Sequence, residues 1–371
     1  MKLVSTATPT QSSLVSIVTP CYNSAPFLAE TIESVAAQTY PNIEHIVIDD
    51  GSTDGTWDVI TRYASRVRAV RLGQNRGGSH ARNRGVELAR GEFLMFLDAD
   101  DLITVDTIDA LVTTIGERLG HIAFCNWRLL RQVEGRWIPC PAEVALPTTT
   151  ADHLQSWLLG SWVPPCAILW HRTVYQRTEG WDETLTSNQD GDLMLQALVY
   201  GGQLIRAERG EAYYRAHSGT RLSVSANMFS ADRLRSRMRV LEKLTLTLQR
   251  QARVDDYAES LGIAYQRLAV LGFHADRGLA RECLQRGEAY TGRRAVSRTR
   301  VGRFLTRLVG LERKEQIASL LGRLGIMTPA RRQIRRLRHL AESTREKPTP
   351  SKPQSNDKSP SPIEPGSRLS R

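Results

Sequence analysis

Phe93–Asp101 reads Phe-Leu-Met-Phe-Leu-Asp-Ala-Asp-Asp, five apolar residues followed by a segment with three carboxylates. A continuous apolar run of this length is typical of a strand that is covered on both faces. Three neighbouring carboxylates repel one another unless a cation or solvent compensates their charge. The stretch therefore predicts a buried strand with an acidic site at its carboxyl end.

Short apolar runs and helical patterns alternate on the amino-terminal side of this stretch. Three further strands are predicted at residues 14–18, 43–48 and 67–72. The helical patterns cover residues 24–38, 53–65 and 79–90, and each opens with a Ser or Thr suited to capping a helix N-terminus. Strand alternating with helix predicts an α/β fold with a doubly wound, mostly parallel sheet and flanking helices.

Polar residues follow all four predicted strands, at Thr19–Asn23, Asp49–Ser52, Asn75–Gly78 and Asp98–Asp101. In an open parallel sheet, ligands bind outside the carboxyl ends of the strands. Carboxylates are hard oxygen ligands suited to Mg²⁺ or Mn²⁺, and Mg²⁺ is commonly held by one or two carboxylates together with substrate phosphates. Because the chain carries neither a P-loop nor a Gly-x-Gly-x-x-Gly motif after the first strand, a nucleotide diphosphate held through a metal is expected.

Taken one at a time, these residues also have purely structural interpretations. Asp101 fits a solvated helix N-terminus, and Asp49 with Asp50 fits ordinary turn chemistry. Tyr22 fits a packed aromatic residue and Arg82 a solvated helix face. The sequence alone leaves these alternatives open.

The order of the motifs resembles a known family. Val15–Asn23 and Ile48–Thr56, followed by Ala81–Asn83, Ala89–Glu92 and Phe96–Asp101, are similar to the start of the family 2 glycosyltransferases with the GT-A fold. The resemblance covers about residues 14–220. It implies an inverting transferase that takes a sugar from a nucleotide-diphosphate donor, expected to be a UDP-sugar.

The resemblance also implies roles for individual residues. Tyr22 is expected against the nucleobase and Asp50 as an acceptor of a hydrogen bond from it, with Asp98 near the ribose. Asp100, with Asp98, is expected to hold Mg²⁺ or Mn²⁺. The full predicted nucleotide-sugar set is Thr19, Pro20, Tyr22, Asn23, Asp50, Ser52, Arg82 and Asp98.

Gly180–Asp192 looks like the second acidic motif of the family, in which an aspartate acts as the general base. Gln189 replaces the glutamate that usually precedes this aspartate, and Asp190 remains as the expected base. Asp192 is expected to cap the following helix. Asp101, Arg215 and His217 are weaker site candidates, the last two as groups that assist the leaving diphosphate.

Processive members of the family carry Gln-x-x-Arg-Trp beyond the catalytic base. Gln132–Trp137 is one residue too long for this motif and precedes Asp190, so it is interpreted as a chance match. A single transfer per acceptor is expected, in the synthesis of a cell-envelope polysaccharide, lipopolysaccharide or other glycoconjugate, with a glycan or a lipid-linked acceptor.

The charge of the 371-residue chain is unevenly divided. Its net charge is +11, but residues 1–229 hold 19 Lys+Arg against 25 Asp+Glu, whereas residues 230–371 hold 31 against 14. Residues 293–345 alone carry fifteen basic residues against three Glu. A pair of interfacial helices on an anionic membrane surface and a helical appendage packed on the catalytic domain are equally compatible with this pattern. Nucleic acid is not expected as a partner, because aromatic residues are nearly absent here.

Four segments are predicted: a flexible N-terminus (1–13), a GT-A domain (14–229), a basic helical region (230–345) and a disordered tail rich in Pro, Ser and Lys (346–371). Five unevenly spaced cysteines favour free thiols in a reducing compartment. With no signal peptide or membrane span recognised, a cytoplasmic enzyme is expected, in peripheral contact with the membrane where the basic region binds it. A catalytically silent nucleotide-sugar-binding protein and a nucleotidyltransferase are the alternatives.

Overall fold

The described part of the chain, residues 13–141, 152–217, 230–273 and 275–292 of a computed structural model, is built around one mixed β-sheet. Two compact units divide the chain, residues 1–315 and 316–371, and every described residue belongs to the first. The strands are β1 (Val15–Cys21), β2 (Ile43–Asp49), β3 (Arg68–Arg71), β4 (Phe93–Phe96), β5 (Leu102–Ile103), β6 (His121–Val133), β7 (Arg136–Pro141), β8 (Ile168–His171) and β9 (Gln203–Ala216). The helices are α1 (Leu28–Ala36), α2 (Thr56–Arg62), α3 (Gly78–Leu88), α4 (Thr107–Ile115), α5 (His153–Leu158), α6 (Arg172–Tyr175), α7 (Gln189–Val199), α8 (Ala231–Arg250), α9 (Ala258–Gly272) and α10 (Arg277–Thr291).

The first half of the sheet has the predicted parallel order, β3-β2-β1-β4. Val15 of β1 is in register with Ile43 of β2 and with Phe93 of β4. Every residue of β1 and β4 is buried, as the continuous apolar runs predicted. The carboxyl ends of these strands therefore meet at one edge of the sheet.

Beyond β4 the sheet becomes mixed. β8 runs antiparallel to β4 and to β6, while β9 runs parallel to β6 and antiparallel to the short strand β5. The pairing of Leu102 with Tyr213 brings the end of β9 next to the segment that follows β4. Residues more than 110 positions apart in the chain thus meet at the acidic edge.

The predicted hydroxyl caps of the first three helices are wrong. The helices begin later or earlier than the capping pattern suggests, after Phe27, Gly55 and Gly77, and none of these residues makes a side-chain cap. The hydroxyls bond elsewhere because the loops cross one another: Thr56 Oγ1 accepts a hydrogen bond from the Ser24 amide at 2.8 Å. These contacts tie the loop after β1 to the loop after β2.

Helices α8 and α9 pack on the sheet, and α10 packs on α9. Val240, Leu244 and Leu248 of α8 belong to the same apolar cluster as β1, β4 and β6. Leu234 and Met238 of α8 form a second apolar cluster with residues of α9 and α10. The main cluster therefore extends across the predicted division between residues 229 and 230. Predictions for residues 1–12, 293–345 and 346–371 lie outside the described residues.

No helix in the described ranges is both long and apolar enough to cross a bilayer. All five cysteines are free thiols, as predicted, and four of them are buried while Cys140 is half-buried.

Candidate active site

A cavity of about 390 Å³ opens at the carboxyl ends of β1, β2 and β4. The predicted site residues on its wall are Pro20, Tyr22, Asn23, Asp50, Arg82, Asp98, Asp100, Arg215 and His217. They come from both halves of the sheet, because β9 returns beside β5. Most of the predicted site residues therefore lie around one cavity.

Asp50 is fixed by the loop between β3 and α3. Its carboxylate accepts hydrogen bonds from the amides of Arg76 (3.1 Å) and Gly77 (2.7 Å), and the residue is buried. Gly51, the residue after Asp50, has a φ angle of +73°. A Cβ atom at this position would lie 2.8 Å from the Gln74 carbonyl carbon. A glycine is needed at this position because the two loops pass in contact.

Tyr22 and Asn23 form the turn after β1. Asn23 adopts φ +50°, its amide donates to Ser52 Oγ (3.0 Å), and its side-chain oxygen accepts from the Thr53 amide (2.9 Å). Tyr22 remains 39% exposed at the cavity. Asn23 and Ser52 thus hold the turn that presents the tyrosine ring.

Thr19 is placed differently from the sequence prediction. Its side chain is fully buried, its Oγ1 lies 2.9 Å from His45 Nε2, and it is not part of the cavity wall. Burial lowers the pKa of His45 to about 4, so this histidine is neutral at pH 7. Thr19 lies beneath the cavity because it is one of the inward residues of the fully covered strand β1.

Arg82 is buried against the acidic edge and is not on a solvated helix face. Its guanidinium is paired with Asp98 and lies 4.5 Å from the ring centroid of Trp181. Burial raises the pKa of Asp98, an effect that the charge of Arg82 opposes and that of Asp100 reinforces. Arg82 thus compensates part of the carboxylate repulsion that the sequence pattern implied.

Asp100 and Asp101 point to opposite sides. Asp100 is 31% exposed at the cavity, where its Oδ2 lies 2.6 Å from His217 Nε2. Asp101 is 1% exposed and accepts a hydrogen bond from the Arg215 amide at 2.8 Å, and burial raises the pKa of its carboxyl well above the ordinary value. Asp101 thus lies outside the cavity wall and fixes the end of β9.

Asp98 and Asp100 are two carboxylates of the cavity wall that could contribute oxygen ligands to a divalent metal. Their side chains are 28% and 31% exposed, and each keeps one carboxylate oxygen without a hydrogen bond to the described residues. No group of three or more His, Cys, Asp and Glu able to hold a metal occurs in the part of the chain that the structure describes. Two carboxylates with open positions fit an ion whose remaining ligands are phosphate oxygens and water.

Arg215 lies in an aromatic sandwich. Its guanidinium carbon is 4.7 Å from the ring centroids of both Phe27 and Trp137, and its Nη2 donates to Glu30 at 2.9 Å. Its Nε and Nη1 are buried without a hydrogen-bond partner. The same two rings flank His217, with centroids 5.0 and 5.3 Å away.

Trp137 is a site residue that sequence reasoning missed. It belongs to the segment interpreted as a chance match to a processive motif, and only the β6–β7 hairpin carries it to Arg215 and His217. The available signal was a tryptophan next to an arginine directly after the Glu134–Gly135 turn.

Asp190 lies in the first turn of α7, immediately after Asn188 and Gln189. Its Oδ2 accepts a hydrogen bond from Trp162 Nε1 at 2.7 Å, and its charge contributes to the raised pKa of Asp98. Gln189, the substituted glutamate position, donates to the Leu185 carbonyl at 2.6 Å. Asp190 is thus the half-buried carboxylate of this motif that lies near the acidic edge.

Asp192 does not cap α7, contrary to the sequence expectation. It is buried, and its carboxylate binds Lys243 Nζ at 2.8 Å and Gln196 Nε2 at 2.7 Å. Helix α8, which provides Lys243, also provides Ser236, whose Oγ accepts hydrogen bonds from the amides of Thr186 and Ser187 at 3.1 Å each. The loop that leads to Asp190 is therefore fastened to α8.

A second set of missed residues joins α3 to the same loop. Asn83 donates to the Trp181 carbonyl at 2.8 Å and accepts from the Trp181 amide at 3.1 Å. Glu183 lies 3.0 Å from His80 Nδ1 and accepts from Asn83 at 3.1 Å. About one hundred residues separate these partners in the chain, so no local pattern points to them.

Among solved structures the fold is similar to nucleotide-sugar enzymes. TarS residues 1–349 of Staphylococcus aureus, in complex with UDP-GlcNAc, superpose with a TM-score of 0.52 at 18% identity and cover 75% of this chain and 89% of that one. The mannosyltransferase PcManGT of Pyrobaculum calidifontis, in complex with GDP-Man and Mn²⁺, gives 0.51 at 16% identity, over 87% and 84%. The predicted GT-A fold is confirmed.

Sequence comparisons find glycosyltransferases as relatives. Residues 16–176 match the model of glycosyl transferase family 2. A UDP-Glc:α-D-GlcNAc-diphosphoundecaprenol β-1,3-glucosyltransferase of Escherichia coli is 28% identical over 275 residues, 73% of this chain and 96% of its own. A putative teichuronic acid biosynthesis glycosyltransferase of Bacillus subtilis is 37% identical over 122 residues, 32% of this chain, and several curated relatives are matched over about half of their own length or less. Over residues 16–176 the chain is similar to the family 2 glycosyltransferases, as its sequence motifs predicted.

Proposed function

We propose that the protein transfers one sugar from a UDP-sugar to an acceptor hydroxyl with inversion, using Asp190 as general base. The observation that carries this proposal is the convergence of Tyr22, Asp50, Asp98 and Asp100 on one cavity. Asp190 is not among the residues of the cavity wall, and its negative charge contributes to the raised pKa of Asp98. The acceptor oxygen attacks the anomeric carbon, its proton passes to the Asp190 carboxylate, and the bond to the diphosphate breaks.

The proposed reaction assigns roles to residues of the cavity wall and to Trp162. The exposed ring of Tyr22 stacks on the base, and the fixed carboxylate of Asp50 accepts a hydrogen bond from it. Trp162 holds the Asp190 carboxylate in its orientation. Arg215 and His217, clamped between Phe27 and Trp137, present positive and polar groups toward the leaving diphosphate.

Asp98 and Asp100 would hold Mg²⁺ or Mn²⁺ through their open carboxylate oxygens. When bound, such an ion supplies an electrophile that stabilises the departing nucleotide diphosphate. The Mn²⁺ in the similarly folded mannosyltransferase supports this choice.

A sugar carried on a lipid diphosphate is the proposed acceptor, in the synthesis of an envelope polysaccharide. The name of the Escherichia coli relative, which spans most of both chains, supports this class. Such an acceptor places the enzyme at the cytoplasmic face of the membrane, and the basic residues 293–345, which lie outside the described ranges, are the proposed contact.

The test is a thermal-shift panel of UDP- and GDP-sugars with Mn²⁺ or Mg²⁺, followed by measurement of nucleotide release. A donor at about 100 times its dissociation constant stabilises the folded state by ~2.7 kcal/mol. Tyr22→Ala should weaken donor binding about tenfold or more, in line with base–aromatic stacking energies. Tyr200→Ala, an exposed tyrosine of similar accessibility outside the cavity, is the matched control.

No stabilisation by any nucleotide sugar would exclude the proposal. Binding without nucleotide release in the presence of lipid-diphosphate acceptors would point instead to a silent binding protein.

A further inference from the structure

Two arginines of α8 face the loop that carries Asp190. Arg233 and Arg237 are one helical turn apart, and both are half-buried. Arg237 Nε lies 3.4 Å from Ser187 Oγ, three residues before Asp190. Arg233 Nη1 is enclosed and makes no hydrogen bond with the residues that the structure describes.

These two arginines differ from the neighbouring basic residues in how their charge is balanced. Lys243 binds both Asp182 and Asp192, and Arg235 pairs with Asp232 and Asp276. Within the described ranges, neither Arg233 nor Arg237 forms an ion pair with a carboxylate. Like charges four residues apart on a helix repel each other. An enclosed N–H donor without a hydrogen-bond partner also costs free energy. The two arginines therefore lack, among the described residues, an anionic partner that would balance their charge.

Asp190 and both arginines form one local group. Burial lowers the pKa of Arg237, the charge of Asp190 raises it, and the charge of Arg233 lowers it. A reacting acceptor hydroxyl has to reach Asp190. Any phosphate attached to that acceptor sugar then comes within reach of the long arginine side chains beside it.

We propose that Arg233 and Arg237 bind the diphosphate of the acceptor, so that its sugar is presented to Asp190. The proposal rests on the proposed function and names two residues that recognise the acceptor. Guanidinium groups suit this task because their paired N–H donors match phosphate oxygens. The donor diphosphate is assigned to a different part of the site, at Asp98, Asp100, Arg215 and His217.

The experiment is a calorimetric titration of protein already saturated with UDP and Mg²⁺, which keeps the donor cavity filled. Farnesyl diphosphate, inorganic pyrophosphate and farnesol are the probes, and they separate the contribution of the phosphates from that of the lipid. Arg233→Gln, Arg237→Gln and the double variant are compared with the wild type. Arg239→Gln, an exposed arginine on the same helix, is the matched control.

Each single substitution should weaken farnesyl diphosphate and pyrophosphate about tenfold, in line with hydrogen bonds to a charged group. Farnesol should bind neither the wild type nor any variant. The Arg239→Gln control should bind both diphosphates like the wild type. Equal diphosphate affinity in the double variant, or displacement of UDP by the diphosphates, would overturn the inference. Failure of the wild type to bind UDP contradicts the proposed function instead, and the UDP titration that precedes each measurement also shows that every variant is folded.

Discussion

Asp190 and Asp192 are two residues apart on α7, and the structure gives them unlike surroundings. At 3.6 residues per turn, two positions along a helix differ in direction by about 200°, so the carboxylates point to opposite sides. Asp190 accepts a hydrogen bond from Trp162, whereas Asp192 is buried against Lys243 of α8. The same chemical group therefore serves the proposed chemistry at one position and the packing of two helices at the other.

The substitution Asp190→Asn tests, for a single residue, whether Asp190 is the general base. The amide keeps the size of the side chain and can still accept the indole hydrogen bond, but it cannot take the acceptor proton. We expect transfer to fall on the order of 100-fold or more, while UDP-sugar affinity measured by calorimetry stays near that of the wild type.

Asp192→Asn is the matched control for that substitution. It weakens a buried ion pair, so thermal stability should fall while transfer below the melting temperature is largely retained. Full transfer activity in Asp190→Asn, with normal donor binding, would show that another group is the base.

At the scale of elements, α8 is a support for the loop that precedes α7. Ser236 is buried, and its hydroxyl serves three backbone groups: it accepts from the Thr186 and Ser187 amides and donates to the Ser187 carbonyl at 2.8 Å. A helix beyond the region of family resemblance thus fixes the position of a predicted catalytic motif.

Ser236→Ala should lower both stability and transfer. Removing the hydroxyl leaves buried amides without a partner, at a cost of about 2 kcal/mol. Chemical denaturation and kcat measured on the same samples check the two effects. Thr247→Ala, whose hydroxyl bonds only to the Lys243 carbonyl of its own helix, is the control; an equal loss of kcat there would argue against a specific support by Ser236.

Glu44 connects β2 to its neighbours at the opposite end of the sheet. Its Oε1 accepts hydrogen bonds from Ser16 Oγ and the Arg90 amide, each at 2.6 Å. Burial raises the pKa of Glu44, but these hydrogen bonds and the charge of Arg90 outweigh it and leave the pKa below the ordinary value of 4.5.

A lowered pKa in the folded state means that the ionised carboxylate stabilises the fold above its ordinary pKa, and that this contribution is lost as the pH falls through the folded-state pKa. Glu44→Gln should therefore be less stable than the wild type by about 1 kcal/mol at neutral pH, with the difference shrinking in acid. Urea unfolding of both proteins over a series of pH values measures it. A difference that does not change with pH would show that ionisation of Glu44 does not contribute.

For the whole molecule, helices α8 and α9 contribute buried residues to the main apolar core, so the chain beyond residue 229 cannot be removed as a basic appendage. A truncation after residue 229 would delete Val240, Leu244 and Leu248 from the main apolar cluster. A truncation after residue 292 keeps every described helix and removes the fifteen basic residues of 293–345.

The chain truncated after residue 292 should keep UDP-sugar binding and lose sedimentation with anionic vesicles. Each basic residue near an anionic surface contributes ~1 kcal/mol, so the loss should be large. Neutral phosphatidylcholine vesicles are the control for both proteins. Equal recovery of the full and truncated chains with anionic vesicles would contradict the membrane contact.

The sequence by itself determined the parallel half of the sheet and the residues at its carboxyl edge, because each buried strand and the polar turn after it are local patterns. Tyr22, Asp50 and Asp98 could be selected in this way, and the resemblance added Asp190 and the residues that follow β9. Only the tertiary structure decided which side chains share the cavity: Thr19 and Asp101 are buried away from its wall, and Phe27 joins that wall. Trp137 contacts Arg215 and His217 of the wall, and Ser236 of α8 holds the loop before Asp190. Those assignments depend on contacts between segments about one hundred residues apart, and such contacts are set by the packing of the whole sheet and not by any local pattern.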